Sequence, residues 1–209
     1  MAFSVSPHDK RDISRTLGKR HRDFSWTEDF FIGLIDRNES KMDVYWSVIA
    51  LRNCGTERSI ASLKSLSTHQ SQDVKATAIL TIARIARATE TDYYAARLID
   101  PSYRAKPFAL WAISAYGDER AIPAVRNFIM KNKKKLAEKV VPAQEAYGIT
   151  TYFYRTLGPC KTVELLTGEY GFIREALAWS LNHLPPMNAR RFKDRYPEID
   201  ISLGTTGDA

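Results

Sequence analysis

The side chains able to do chemistry are few and scattered. The chain has four histidines, His8, His21, His69 and His183, and two cysteines, Cys54 and Cys160. No histidine stands in the H-E-x-x-H spacing that puts two imidazoles on one helical face, and no cysteine pair lies near one. A zinc centre is therefore not expected, nor any other metal or cofactor. There is no G-x-S-x-G elbow for a serine nucleophile, and no glycine-rich loop of the kinds that cradle phosphates. Gly168 and Gly171, in TGEYGF, read as a turn. The carboxylate pairs Glu28-Asp29 and Asp118-Glu119 fall where helices should begin, so they read as caps that complement the helix dipole rather than as an acid–base couple. The expectation is a protein without a catalytic set.

Charge is the stronger signal. Of the formal net charge of +7, residues 1–23 carry +3, residues 126–139 carry +5 and residues 186–199 carry +2, so the remainder is −3. The base is localised, and an acidic partner would be met at particular places. Arg126 and the run KNKKK, with Lys131, Lys133, Lys134 and Lys135, are the candidate contacts. The plain alternative is a solvated helix end whose cations complement the last carbonyls. In FKDRYPEI, Phe192 and Tyr196 at a four-residue step are expected to pack inward.

Aromatic residues make up 11% of the chain. Trp46, Trp111 and Trp179 are expected to wedge between helices, with Trp111 the one offered as a contact on a binding wall. Tyr93-Tyr94 and the stretch TTYFYR, with Tyr152, Phe153 and Tyr154, place more consecutive rings than one buried stripe absorbs. Tyr93, Tyr94, Tyr152 and Tyr154 are therefore candidate binding residues.

The elements that must carry these residues are helices. Strict apolar/polar alternation is nowhere sustained, and the apolar spacing is three and four residues. Helices are expected over 25–35, with a Ser25/Glu28 capping box, and over 42–53 and 57–67, the last burying Ile60, Leu63 and Leu66. Further helices are expected over 73–86 capped by Ser71, over 90–99 capped by Thr89 or Asp92, and over 107–116. The remainder are expected over 119–135 capped by Asp118, then 142–157, 161–167, 172–184 and 188–195. Pro185-Pro186 ends one of them. Residues 1–23 are expected to form a basic N-terminal segment, 24–199 the folded array and 200–209 a frayed tail. No apolar run reaches the length of a membrane span, and the first residues lack a signal's apolar stretch, so a cytoplasmic protein is expected.

One phrase is written twice. Residues 50–63, ALRNCGTERSIASL, match 112–125, AISAYGDERAIPAV, with Gly55 over Gly117, Glu57-Arg58 over Glu119-Arg120 and Ile60 over Ile122. A third copy, TLGPCKTVELL, puts Gly158 at the same place. Each copy reads as helix, glycine stop, polar cap, helix, and each glycine is expected to pass through a left-handed conformation.

This pattern resembles the HEAT-like repeat family, including its bilin-lyase-type subset. The residues that carry it are DVKATAILTIARI at 73–85 and FIREALAWSL at 172–181, with Asp73-Val74-Lys75 and Ile173-Arg174 at the family's polar ladder and Ala76, Ala78, Ala176 and Ala178 at its close helix contacts. The resemblance spans about residues 43–184. It implies an all-α superhelix, a single curved solenoid that grips another macromolecule. It implies first a non-catalytic module for a protein partner, an adaptor or an inhibitor or immunity protein of a toxin. The alternative is a nucleic-acid binder akin to alkylpurine DNA glycosylases, in which Trp111 with Asp118, or Trp46 with Asp43, would face a flipped base. A bilin lyase ranks last.

Overall fold

A computed structural model describes residues 25–139, 143–182 and 186–201. Every regular element among them is helical. The α-helices are α1 Ser25–Arg37, α2 Lys41–Cys54, α3 Ile60–Ser65, α4 Gln72–Ala86, α5 Thr91–Ile99 and α6 Lys106–Tyr116, followed by α7 Ile122–Ala137, α8 Ala143–Leu157, α9 Pro159–Thr167, α10 Gly171–Asn182 and α11 Pro186–Arg195. The sequence-based helices recur with shifts at their ends. Residues 1–23, most of the 200–209 tail and three of the four histidines lie outside the described residues, as does the side chain of Ser25. The chain divides into two compact units, Met1–Ala112 and Ile113–Ala209, and each is described by itself.

In the first unit α2 and α4 run parallel, one registering on the other through a stagger of about one repeat. Lys41 Nζ lies 3.5 Å from Asp73, 32 residues on, and the Thr81 hydroxyl donates to the Val48 carbonyl, 33 residues back, at 3.2 Å. The interface between them is small and apolar. Val44, Val48, Ala50 and Leu51 of α2 and Val74, Ala78, Ile82 and Ala83 of α4 are all buried, and the two helices pack against each other. Burying each Leu, Ile or Val contributes about 1.5–3 kcal/mol. α3 closes the hairpin with Ile60, Leu63 and Leu66 inward, as its spacing predicts. The Tyr103 hydroxyl donates to the Lys75 carbonyl at 3.2 Å, tying the segment after α5 to α4.

In the second unit α8 is the central helix. Ile149, Tyr152 and Phe153 are fully buried, and Phe153 stacks on Tyr170 with ring centroids 5.9 Å apart. Phe192 and Tyr196 of the last turn pack inward as expected. Tyr147 meets both rings, and the Tyr196 and Thr151 hydroxyls are 2.8 Å apart.

The doubled phrase folds twice into the same local structure. Thr56 (φ −117°, ψ −171°) and Asp118 (φ −108°, ψ −167°) each accept the N–H two residues on, and each opens a single 3₁₀ turn that runs into α3 or α7. The glycines work differently from the expectation. Gly55 has φ −69°; a Cβ there would sit 2.5 Å from the Leu51 carbonyl oxygen, and one at Gly117 2.9 Å from that of Ile113. These glycines are needed for close approach of backbone to backbone, not for a left-handed turn. Gly158 alone of the three has positive φ, +84°.

Several expected caps are also corrected. The Ser71 side chain makes no capping bond. The Thr89 hydroxyl donates back to the Ala86 carbonyl, and Glu90 precedes α5 instead. Glu28, whose expected partner Ser25 has its side chain outside the described residues, takes the Thr56 backbone N–H at 2.7 Å and the Thr56 hydroxyl at 3.0 Å.

Candidate functional site

α7 carries the densest set of sequence-based candidates. The helix forms because Asp118 caps its entry, Pro123 suits the first turn, and Ala124, Val125, Phe128, Ile129 and Leu136 give it one apolar face, all buried. Its end is marked by Lys139 at φ +59°. The opposite face is solvent-exposed over more than half the circumference. On it stand Arg126, Lys131, Lys133, Lys134 and Lys135, all exposed, with Pro123, Asn127 and Ala137. Among them is Met130, 57% exposed.

These five cations are thinly partnered. Lys134 has a carboxylate, Glu138, at 3.8 Å. Lys133 Nζ sits 5.7 Å from the centre of the Phe172 ring on α10, and α10 packs against α7. Arg126 faces the same helix start. Burial and then Glu169 push the Tyr170 phenol up to about 12, and the Arg126 charge opposes them.

The aromatic candidates separate into two kinds. Tyr94 and Tyr152 are fully buried, which removes them from any contact surface. The Tyr94 hydroxyl donates to the Arg87 carbonyl at 3.0 Å, and the Tyr152 hydroxyl to the Asp118 carbonyl at 2.7 Å. Burial raises both a ring's contribution to the core and the need to pair its hydroxyl, and both needs are met here; it also raises the Tyr152 phenol pKa. Tyr93 is half-buried under Lys64 and Arg97, at 5.3 and 5.6 Å from its ring centre. Tyr154 donates to Glu198 at 2.6 Å. Trp111, offered both as wedge and as wall, is 49% exposed on α6 beside Phe108 at 41%, and Trp179, expected in the core, is 37% exposed. The structure thus gathers Arg126 and the four lysines on one face. Tyr93 and Trp111 belong to the other unit.

Two clefts among the described residues carry polar linings. One of about 650 Å³ in the first unit is lined by Asp36, Lys41, His69 and Ser71 among others. There the His69 Nδ1 accepts the Ser71 N–H at 3.0 Å, so the ring is tied to the loop. The other, about 460 Å³, is lined by Asp118, Glu119, Arg120, Arg155 and Thr156. Its charges hold the Gly117 loop: Arg155 donates to the carbonyls of Ile113 and Ser114 at 3.1 Å and to that of Gly117, capping the end of α6, while Arg120 pairs with Asp118 at 2.8 Å. Among the described residues no His/Cys/Asp/Glu group could hold a metal ion, and no helix is long and apolar enough to cross a membrane.

Comparison with protein-family models, curated proteins and solved structures finds no match to the chain. The sequence reading missed Met130, Arg155 and the Glu28–Thr56 tie. Met130 had a signal: it lies four residues from Arg126, on the charged side of the helix.

Proposed function

We propose that this chain is a non-catalytic binding module that holds a protein partner, as an adaptor or an inhibitor does, and that the outer face of α7 meets that partner. The observation that carries the reading is the exposed group of Arg126, Lys131, Lys133, Lys134 and Lys135 around a solvent-facing Met130. Complementing the helix dipole accounts for Lys134 and Lys135, which stand in the last turn. It does not account for Arg126, Lys131 and Lys133, because the effect fades within one turn of the helix end. Methionine and arginine are enriched at protein interfaces, and an exposed methionine costs apolar hydration that a partner would relieve. The stagger of 32–33 residues between α2 and α4 supports a HEAT-like repeat in the first unit.

The test is capture from a lysate, with and without nuclease treatment, by the full chain and by a Lys131→Glu/Lys135→Glu variant. A protein held by the native chain and released by the variant supports the reading. Retention of nucleic acid alone, weakening steeply with salt, would select the alternative of a nucleic-acid binder, which the same cations favour.

A further inference from the structure

Resting on that reading of α7 as a binding face, we propose that its occupant is an acidic amphipathic helix of the partner protein. The arrangement of the exposed side chains points there. Pro123, Met130 and Ala137 are all exposed and follow each other at seven-residue steps, so they form one narrow apolar strip along the helix, two turns apart. Cations flank it on both sides. Arg126 and Lys133, also seven apart, form a row on the side of α10, where Lys133 reaches the Phe172 ring. Lys134, Lys131 and Lys135 lie on the other side, Lys134 nearest the strip and Asn127 beside it.

A seven-residue repeat on a helix of 3.6 residues per turn drifts by about 20° per repeat, and a second helix crossing at about 20° follows that drift. Such a helix would lay a small apolar stripe over Met130 and carry Glu or Asp on both flanks to meet the two rows. Charge alone would suit a nucleic acid as well. The strip decides between them: a phosphate backbone has nothing apolar to set against Met130, and the strip offers a base edge no hydrogen-bond donor. The lysine stems add apolar length beside the strip while their ammonium groups stay in water.

The test uses labelled probes and the full chain. One probe is a designed peptide of about 20 residues with leucine at heptad spacing and glutamate on both flanks. The second has the same composition in scrambled order, and the third is a short DNA duplex. Anisotropy titrations are run near physiological salt. The ordered peptide should bind at least about tenfold more tightly than the scrambled one, and Met130→Asp should remove about that factor. Because Met130 is 57% exposed, the variant should melt like the native chain, so the loss reads binding rather than folding. Equal binding of both peptides, an unaffected Met130→Asp, or preference for the duplex would overturn the helix while leaving α7 a binding face. Failure of every probe to bind would overturn both the helix and the reading beneath it.

Discussion

Replacing Gly55 with alanine tests the physical reason that one phrase is written twice. The added Cβ would stand 2.5 Å from the Leu51 carbonyl oxygen and 2.9 Å from both Ile85 Cδ1 and Ser59 Oγ. The first neighbour is backbone at the end of α2, whose carbonyl already accepts the Gly55 N–H at 2.8 Å, so it cannot yield cheaply. Overpacking of this kind costs about 1–3 kcal/mol. The alanine also stiffens the unfolded chain, which returns about 0.4–1 kcal/mol. The net expectation is a loss of about 1.3 kcal/mol, a fall in melting midpoint of roughly 3–5 °C for a chain of this size. Far-UV circular dichroism through urea and heat would read it. Gly117→Ala, with its nearest contacts at 2.9 and 3.0 Å, should lose somewhat less. Ile85→Val removes the Cδ1 that the new Cβ meets, so in the Gly55→Ala background it should cost about 0.5 kcal/mol less than alone. Gly158→Ala should destabilise for another reason: nothing lies within 4 Å of its Cβ, but φ +84° with ψ 167° is a backbone region essentially closed to other residues, at about 1–3 kcal/mol. A stabilised Gly55→Ala protein would refute close approach as the cause of the repeat.

Other expectations concern the ties on the two loops and the thiols. Glu28→Ala should cost about 2 kcal/mol, because it leaves the Thr56 N–H without its charged acceptor, and Glu28→Gln, which keeps an acceptor, about half that; urea midpoints check both. Arg155→Met should cost about 1–2 kcal/mol by freeing the carbonyls at the end of α6, and Arg155→Lys should restore little, since an ammonium cannot spread over three carbonyls as a guanidinium does. A thiol reagent should modify exposed Cys160 promptly and buried Cys54 only on unfolding. Burial, then the Glu28 charge, push the Cys54 thiol from 9.0 up to about 11. The folded state therefore holds that proton more tightly than the unfolded one. Its contribution is in full below pH 9.0 and is lost as pH rises towards about 11. Cys54→Ala should flatten that part of the stability curve.

The helices were legible because their signals are local: apolar residues at three- and four-residue steps, then glycine or proline. What escaped reading is set by neighbours distant in sequence. Tyr93 and Tyr94 differ by one position, a rotation of about 100° on a helix, and only the tertiary surroundings of α5 decide which ring is buried. The same holds for Tyr152 and Tyr154 on α8. A glycine in the sequence does not say whether it is there for its φ or for its missing Cβ; Gly55 and Gly158 look alike on the page and answer oppositely. The basic face of α7 was legible as composition. Met130 was passed over despite its place on the charged side of the helix, because methionine counts as apolar and apolar residues are read inward.

The two copies of the phrase also show how it builds. A helix that ends and restarts within a few residues leaves carbonyls without partners at one end and N–H groups at the other. In the first copy the restart begins at Thr56, whose N–H and hydroxyl are both donors, and the group that arrives from another helix is a carboxylate, Glu28. In the second copy Asp118 stands at the same place and brings its own carboxylate, which takes the Arg120 N–H at 3.1 Å and pairs with the Arg120 side chain. A second carboxylate would be repelled there, and the groups that arrive, Arg155 and Tyr152, are donors that take the carbonyls instead. Glu28, Asp118 and Arg155 are thereby each engaged in closing a turn. Among the exposed cations that close neither turn are those along α7 and Arg190, Arg191 and Lys193 of α11.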